Sequence, residues 1–247
     1  MNALLHTLNI QRVYYGWWIV FASMMVLSVG AGFFWLGFGV FFLPLSQEFA
    51  TNRTVLSGAM AIAQLEGGML GPVDGYLVDR FGPRRMMLIG VAIMGLGFLL
   101  MSLVESLFMF YVVYLLLISL GMSLGIRVPA LVAPTNWFVR KRGVALGIAT
   151  SGVGLGGVFV PMLGWLIINL GWRPTAAIAG LLIWVVGLPL AMVMRHRPER
   201  YGLLPDGRTA TPSVEPRQES SGSDPISNPT LEEATATDEG NVEATFS

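Results

Sequence analysis

Six apolar runs, near residues 17–43, 55–78, 86–104, 107–133, 144–168 and 175–194, constrain this chain more than any other feature. A hydrocarbon core about 30 Å thick is crossed by roughly 20 helical residues, and every run is about that long or longer. Inside lipid, backbone polar groups must be paired within their own segment, so the runs are predicted to be helices. A barrel would instead show alternating strands of roughly ten residues. The expected fold class is therefore an all-α membrane protein with six transmembrane helices. Composition agrees: of 247 residues, 54% are hydrophobic and 12% charged, against about 25% charged in ordinary soluble domains.

The connections carry the orientation. On one side lie Arg12, then Arg80, Arg84 and Arg85, then Arg140, Lys141 and Arg142, then Arg195, Arg197 and Arg200; on the other lie Arg53 and Arg173. Ten against two is a positive-inside pattern, which places both termini in the cytoplasm of a multi-pass protein of the plasma (inner) membrane. Tyr14, Tyr15, Trp17, Trp18, Trp137, Phe138 and Trp172 sit near the run ends and are expected to form interfacial aromatic belts, with plain hydrophobic bulk as the other reading. The bounds read from the sequence are a cytoplasmic N-terminus (1–16), a six-helix domain (17–200) and an acidic cytoplasmic tail (201–247). The tail is rich in Ser, Thr, Pro, Gly and Glu and is expected to be disordered, having too little apolar surface to offset chain entropy. The first apolar run is too long for a cleaved signal peptide.

Several function classes have no support. There is no cysteine, and His6 and His196 lie outside the apolar runs, so no metal site is expected in the membrane. No cofactor is implied. Bases cluster between apolar runs, which suits membrane lipid headgroups rather than nucleic acid. An HExxH zinc motif and a Gly-Lys-Ser/Thr phosphate loop are absent. Ser151-Gly152 follows Ala149-Thr150, which does not make the Gly-x-Ser-Gly of an intramembrane protease. The chain is read as a non-enzyme, with no catalytic residues.

The most specific segment is Gly75-Tyr76-Leu77-Val78-Asp79-Arg80-Phe81-Gly82-Pro83-Arg84-Arg85, which joins the second and third helices. Gly75 would let helices approach closely, Gly82 permits a tight turn, and Asp79 offers a carboxylate at a helix end. The segment resembles the loop signature of the major facilitator superfamily, with Pro83 standing where Arg is commonest. The resemblance implies that Gly75, Asp79, Arg80, Gly82, Arg84 and Arg85 form a cytoplasmic latch for the outward-open state; a plain basic turn obeying the positive-inside pattern is the alternative. Tyr15-Gly16-Trp17-Trp18, Gly71-Pro72, Asn136-Trp137-Phe138, Arg140-Lys141-Arg142-Gly143, Ala145-Leu146-Gly147-Ile148-Ala149 and Gly171-Trp172-Arg173 are similar to the monocarboxylate-porter and oxalate–formate-antiporter branch. Members have twelve spans in two halves, so this chain resembles the N-terminal half. Its tail is similar to the loop between halves, and a truncated product is expected ahead of a homodimer of six-helix units.

The fifth run carries Gly152, Gly156 and Gly164 at multiples of four, with Val160-Pro161 between. That spacing puts the glycines on one face, suited to close helix packing. By resemblance, Gly152, Gly156, Pro161 and Gly164 pack between halves; packing inside the six-helix bundle is the other reading. Val160 stands where many antiporters have Gly, so antiport is not implied. The glycines Gly30, Gly32, Gly37 and Gly39 suit either a flexible cavity-lining segment or plain packing.

Three ionisable residues fall inside the runs: Glu66, Asp74 and Arg127. Such residues are costly in lipid and face a cavity or a partner. Arg127 is a candidate substrate-binding residue, since a planar guanidinium grips a carboxylate with two bonds; snorkelling or a structural pair is the alternative. Glu66 is a candidate proton-coupling carboxyl, with a structural acid as the alternative. Asp74, about 12 Å along the helix from Glu66, is expected to be structural. Leu116-Leu117-Ile118-Ser119-Leu120-Gly121 departs from the superfamily's helix-four signature, which places Arg before its glycines.

The function expected is secondary transport of a small organic anion, such as a monocarboxylate, by alternating access between two halves. The other class is a non-transporting six-span interaction protein or an inactive truncated fragment.

Overall fold

The computed structural model describes residues 14–195. Six long helical segments follow in order: α1 (Tyr15–Glu48), α2 (Arg53–Phe81), α3 (Pro83–Met101), α4 (Leu107–Trp137), α5 (Arg142–Leu170) and α6 (Trp172–Val193). All six apolar runs are helices, and among the described residues there is no strand. Five of the six are long and apolar enough to cross a membrane. The exception, α2, has the length, 29 residues, but Gln64, Glu66, Asp74 and several glycines dilute its hydrophobicity. Helices run past the apolar runs at most ends. The first run stops before Pro44, yet α1 continues to Glu48, because backbone pairing does not need an apolar side chain. The proposed tail 201–247, the terminus before residue 14, and Arg12, Arg197 and Arg200 lie outside the described residues.

Local chemistry sets the boundaries. Gly82 (φ 86°) and Gly171 (φ 87°) each reverse the chain between consecutive helices in a single residue, a conformation that an L side chain disfavours. Pro83 follows as the first residue of α3, where its missing N–H leaves nothing unsatisfied and its φ suits the helix. Ser106 caps α4 by accepting from the Met109 N–H at 3.2 Å.

Glycines bring the helices into backbone contact. Gly90 of α3 and Gly125 of α4 face each other so closely that a Cβ on either would strike the other's backbone. Gly95 receives the Trp184 ring of α6, and Gly180 of α6 lies against the Gly95 carbonyl. Gly152 of α5 rests on the Met24 backbone of α1, and a Cβ on Gly156 would approach Gly32 N at 2.7 Å. Without a solvent-driven hydrophobic term between helices in lipid, this close packing is the main source of association.

Both ends of the bundle are tied. At the end carrying Arg84 and Lys141, Tyr14 Oη donates to Trp137 O at 3.2 Å and Tyr15 Oη to Val193 O at 2.7 Å. Trp137 Nε1 donates to Arg195 O at 3.2 Å. At the opposite end, Arg173 pairs with Glu48 at 3.0 Å and donates to Ser102 O at 3.1 Å, while Trp172 Nε1 donates to Glu48 at 3.1 Å. These contacts correct the aromatic-belt expectation for Trp137, Phe138 and Trp172. All three are buried inside the bundle, because they close gaps between helix ends. Trp18 remains outward-facing.

Candidate functional site

Three stretches of the bundle depart from α-helical pairing into wider π-helical turns: Ala31–Leu36 in α1, and Tyr114–Ser119 and Met122–Arg127 in α4. Such turns are rare and concentrate at functional sites. The last ends two residues before Pro129, which lacks an N–H and crowds the carbonyl of Gly125, so the pairing there has a local cause. All three stretches converge on one cleft. It is lined by Phe34 and Trp35 of α1, by Ala63, Gln64 and Gly67 of α2, and by Ser119, Met122, Ser123 and Arg127 of α4.

Arg127 dominates the chemistry of this cleft. Its Nη2 donates to the Gly67 carbonyl at 2.7 Å. Side chains on a helix lean toward its N-terminus, so Arg127 extends back along α4 toward Ser123 and Ser119. Gly67 leaves room for the guanidinium: a Cβ there would meet Arg127 nitrogens at 3.4 and 3.5 Å. No carboxylate oxygen lies within 4.0 Å of Arg127 among the described residues. The guanidinium is thus anchored by a neutral carbonyl and retains N–H groups for another acceptor.

The two intramembrane acids sit beside this charge. Asp74 is 1% exposed and accepts from the Ser123 hydroxyl. Ser119 faces the Glu66 carboxyl, whose Oε2 is buried and has no partner among the described residues. Ser119, Ser123 and Arg127 recur at intervals of four, so they form one ridge of α4 turned toward α2. Glu66 is next to the cleft, whereas Arg127 lines it. Trp35, Gln64 and Ser119 were not singled out from the sequence. A polar residue on an otherwise apolar helix face was the available signal for Gln64; of the π-helical turns, only the one before Pro129 had a signal in the sequence.

A model of the Major Facilitator Superfamily matches residues 24–231. The chain belongs to the major facilitator superfamily. It is similar to an uncharacterized MFS-type transporter, YcxA, of Bacillus subtilis (27% identical; 73% of this chain, 45% of that protein). It is also similar to monocarboxylate transporter 13 of Bos taurus (31%; 72% and 40%) and to the oxalate:formate antiporter of Oxalobacter formigenes (29%; 62% and 36%). The chain spans less than half the length of these relatives. It is a multi-pass membrane protein of a transporter family.

The segment Gly75–Arg85 runs from the last turns of α2 through Gly82 into the first turn of α3. Gly82 makes the turn described above, and Arg84 and Arg85 are exposed. Arg80 bonds Tyr76 Oη at 2.7 Å. Asp79 is exposed and makes no hydrogen bond or ion pair among the described residues. A Cβ on Gly75 would meet nothing within 4 Å. On α5, Gly152 and Gly156 pack on α1, a Cβ on Gly164 would meet Val40 at 3.8 Å, and Pro161 is exposed.

Proposed function

We propose that this chain forms one six-helix half of a secondary transporter for small organic anions, monocarboxylates among them, working by alternating access. The observation that carries the proposal is Arg127. It is a permanent cation in a cleft between α1, α2 and α4, anchored on the Gly67 carbonyl, with no carboxylate within 4.0 Å among the described residues. A guanidinium in that setting suits a planar carboxylate. The names of the relatives, a monocarboxylate transporter and an oxalate:formate antiporter, favour the same ligand class. Glu66, next to the cleft and with an unpartnered oxygen, is the proposed proton-coupling carboxyl.

The cleft in this half has space for about one water, 10 Å³. A substrate site of useful size therefore needs a facing wall, which a second six-helix half would supply. Two outer faces support this. A Cβ on Gly68, Gly71 or Gly75 of α2, or on Gly143, Gly147 or Gly154 of α5, would meet nothing within 4 Å. Lipid contact does not call for small residues, whereas close approach of another helix does. The proposed latch residues are exposed beside it, Asp79 and Arg80 at the end of the same α2 and Arg84 and Arg85 in the first turn of α3. That end, with Arg140, Lys141 and Arg142, is proposed to face the cytoplasm.

The test is uptake of radiolabelled pyruvate into proteoliposomes at verified insertion. Flux that needs Arg127 supports the proposal. Equal flux with and without the protein would rule out transport by this chain alone.

A further inference from the structure

A buried indole N–H without an acceptor is uncommon, since burial removes its hydrogen bonds to water with nothing in return. Trp35 has such a group: its Nε1 is buried and has no partner among the described residues. Three other tryptophans of the bundle have acceptors. Trp137, Trp172 and Trp184 donate to Arg195 O, Glu48 and Ala92 O at 3.1 to 3.2 Å.

Trp35 lines the same cleft as Arg127. It sits in the π-helical turn Ala31–Leu36 of α1, next to Phe34, which is buried and stacked on Tyr114 with ring planes 11° apart. The backbone that carries the indole is therefore fixed by packing. The polar lining of the cleft is rich in donors. Arg127 has N–H groups beyond the one held by Gly67, Trp35 has an unpaired N–H, and the Gln64 amide adds two more. Ser123 is committed to Asp74. Such a lining complements a ligand with several acceptor oxygens close together.

We propose that Trp35 is a specificity-determining residue of this site, its indole N–H donating to a second oxygen of a carboxylate ligand held by Arg127. The consequence is a ranking: carboxylates with a neighbouring keto or carboxyl oxygen bind ahead of simple alkyl carboxylates. This rests on the anion-binding reading of Arg127 given above.

The test uses the full chain in nanodiscs with ¹⁵N-labelled tryptophan, titrated with pyruvate and with acetate. Trp35→Phe assigns the indole resonance, with Trp35→Tyr as a second variant should the first not accumulate, and Arg127→Gln is run in parallel. Pyruvate is expected to shift the Trp35 resonance saturably. Loss of the indole N–H is expected to weaken pyruvate by roughly tenfold and acetate by less than about twofold. Equal losses for both anions, or an unmoved Trp35 resonance during Arg127-dependent binding, would overturn the role of Trp35 and leave the anion site standing. No saturable, Arg127-dependent binding of either anion would overturn both.

Discussion

Arg127 Nη2 donates to the carbonyl oxygen of Gly67 at 2.7 Å, which joins α4 to α2 beside the cleft. The bond orients the guanidinium without neutralising it. Replacement by Lys keeps the charge but loses the planar fork, so Arg127→Lys is expected to reduce carboxylate uptake by about 10-fold or more, and Arg127→Gln further still. Initial uptake rates at matched protein insertion check both.

Glu66 flanks this site with one unpartnered oxygen. If it carries the coupled proton, Glu66→Gln fixes the neutral form. Uptake by that variant is expected to respond little to an imposed pH gradient while substrate exchange persists. Uptake measured with and without the gradient tests this. An unchanged gradient response would remove Glu66 from the coupling role.

Tyr114 lies within an aromatic cluster, with Phe38 at 4.4 Å and Phe34 and Phe110 both at 5.7 Å between centroids. Its hydroxyl is buried and unpaired among the described residues. Tyr114→Phe removes a buried polar group and keeps the ring, so it is expected to be neutral or to stabilise by about 1 kcal/mol. Thermal unfolding in detergent should show an unchanged or raised midpoint.

Gly90 and Gly125 form the tightest crossing between α3 and α4. A Cβ at either position meets backbone, which cannot turn aside as a side chain can. Gly90→Ala and Gly125→Ala are each expected to destabilise by about 1–3 kcal/mol, whereas Gly147→Ala, with nothing within 4 Å, should be silent in the isolated chain. The same thermal assay separates the three.

The helical architecture was legible in the sequence because lipid imposes long, uninterrupted apolar runs, and all six became helices. Arg127 was legible for the same reason, as a charge with no place in lipid. The cleft around it was not. Trp35, Gln64 and Ser119 come together from three separate helices, two of them with π-helical turns at the cleft, and hydrophobic periodicity carries no mark of that meeting. The aromatic residues near the helix ends misled for a related reason. Trp137 and Trp172 look interfacial in a linear sequence, but helix crossing buries them between neighbouring ends. The small-residue pattern of α5 was visible. Its division between α1 contacts at Gly152 and Gly156 and an uncovered face at Gly143, Gly147 and Gly154 needed the tertiary arrangement.

The most direct measurement is pyruvate uptake by proteoliposomes holding the chain at verified insertion, with Arg127→Gln and protein-free vesicles alongside. Saturable uptake that Arg127→Gln abolishes is the expected result. Uptake that is saturable but indifferent to Arg127 would contradict the assignment of this cleft as an organic-anion site, and uptake no greater than in empty vesicles would contradict transport by this chain alone.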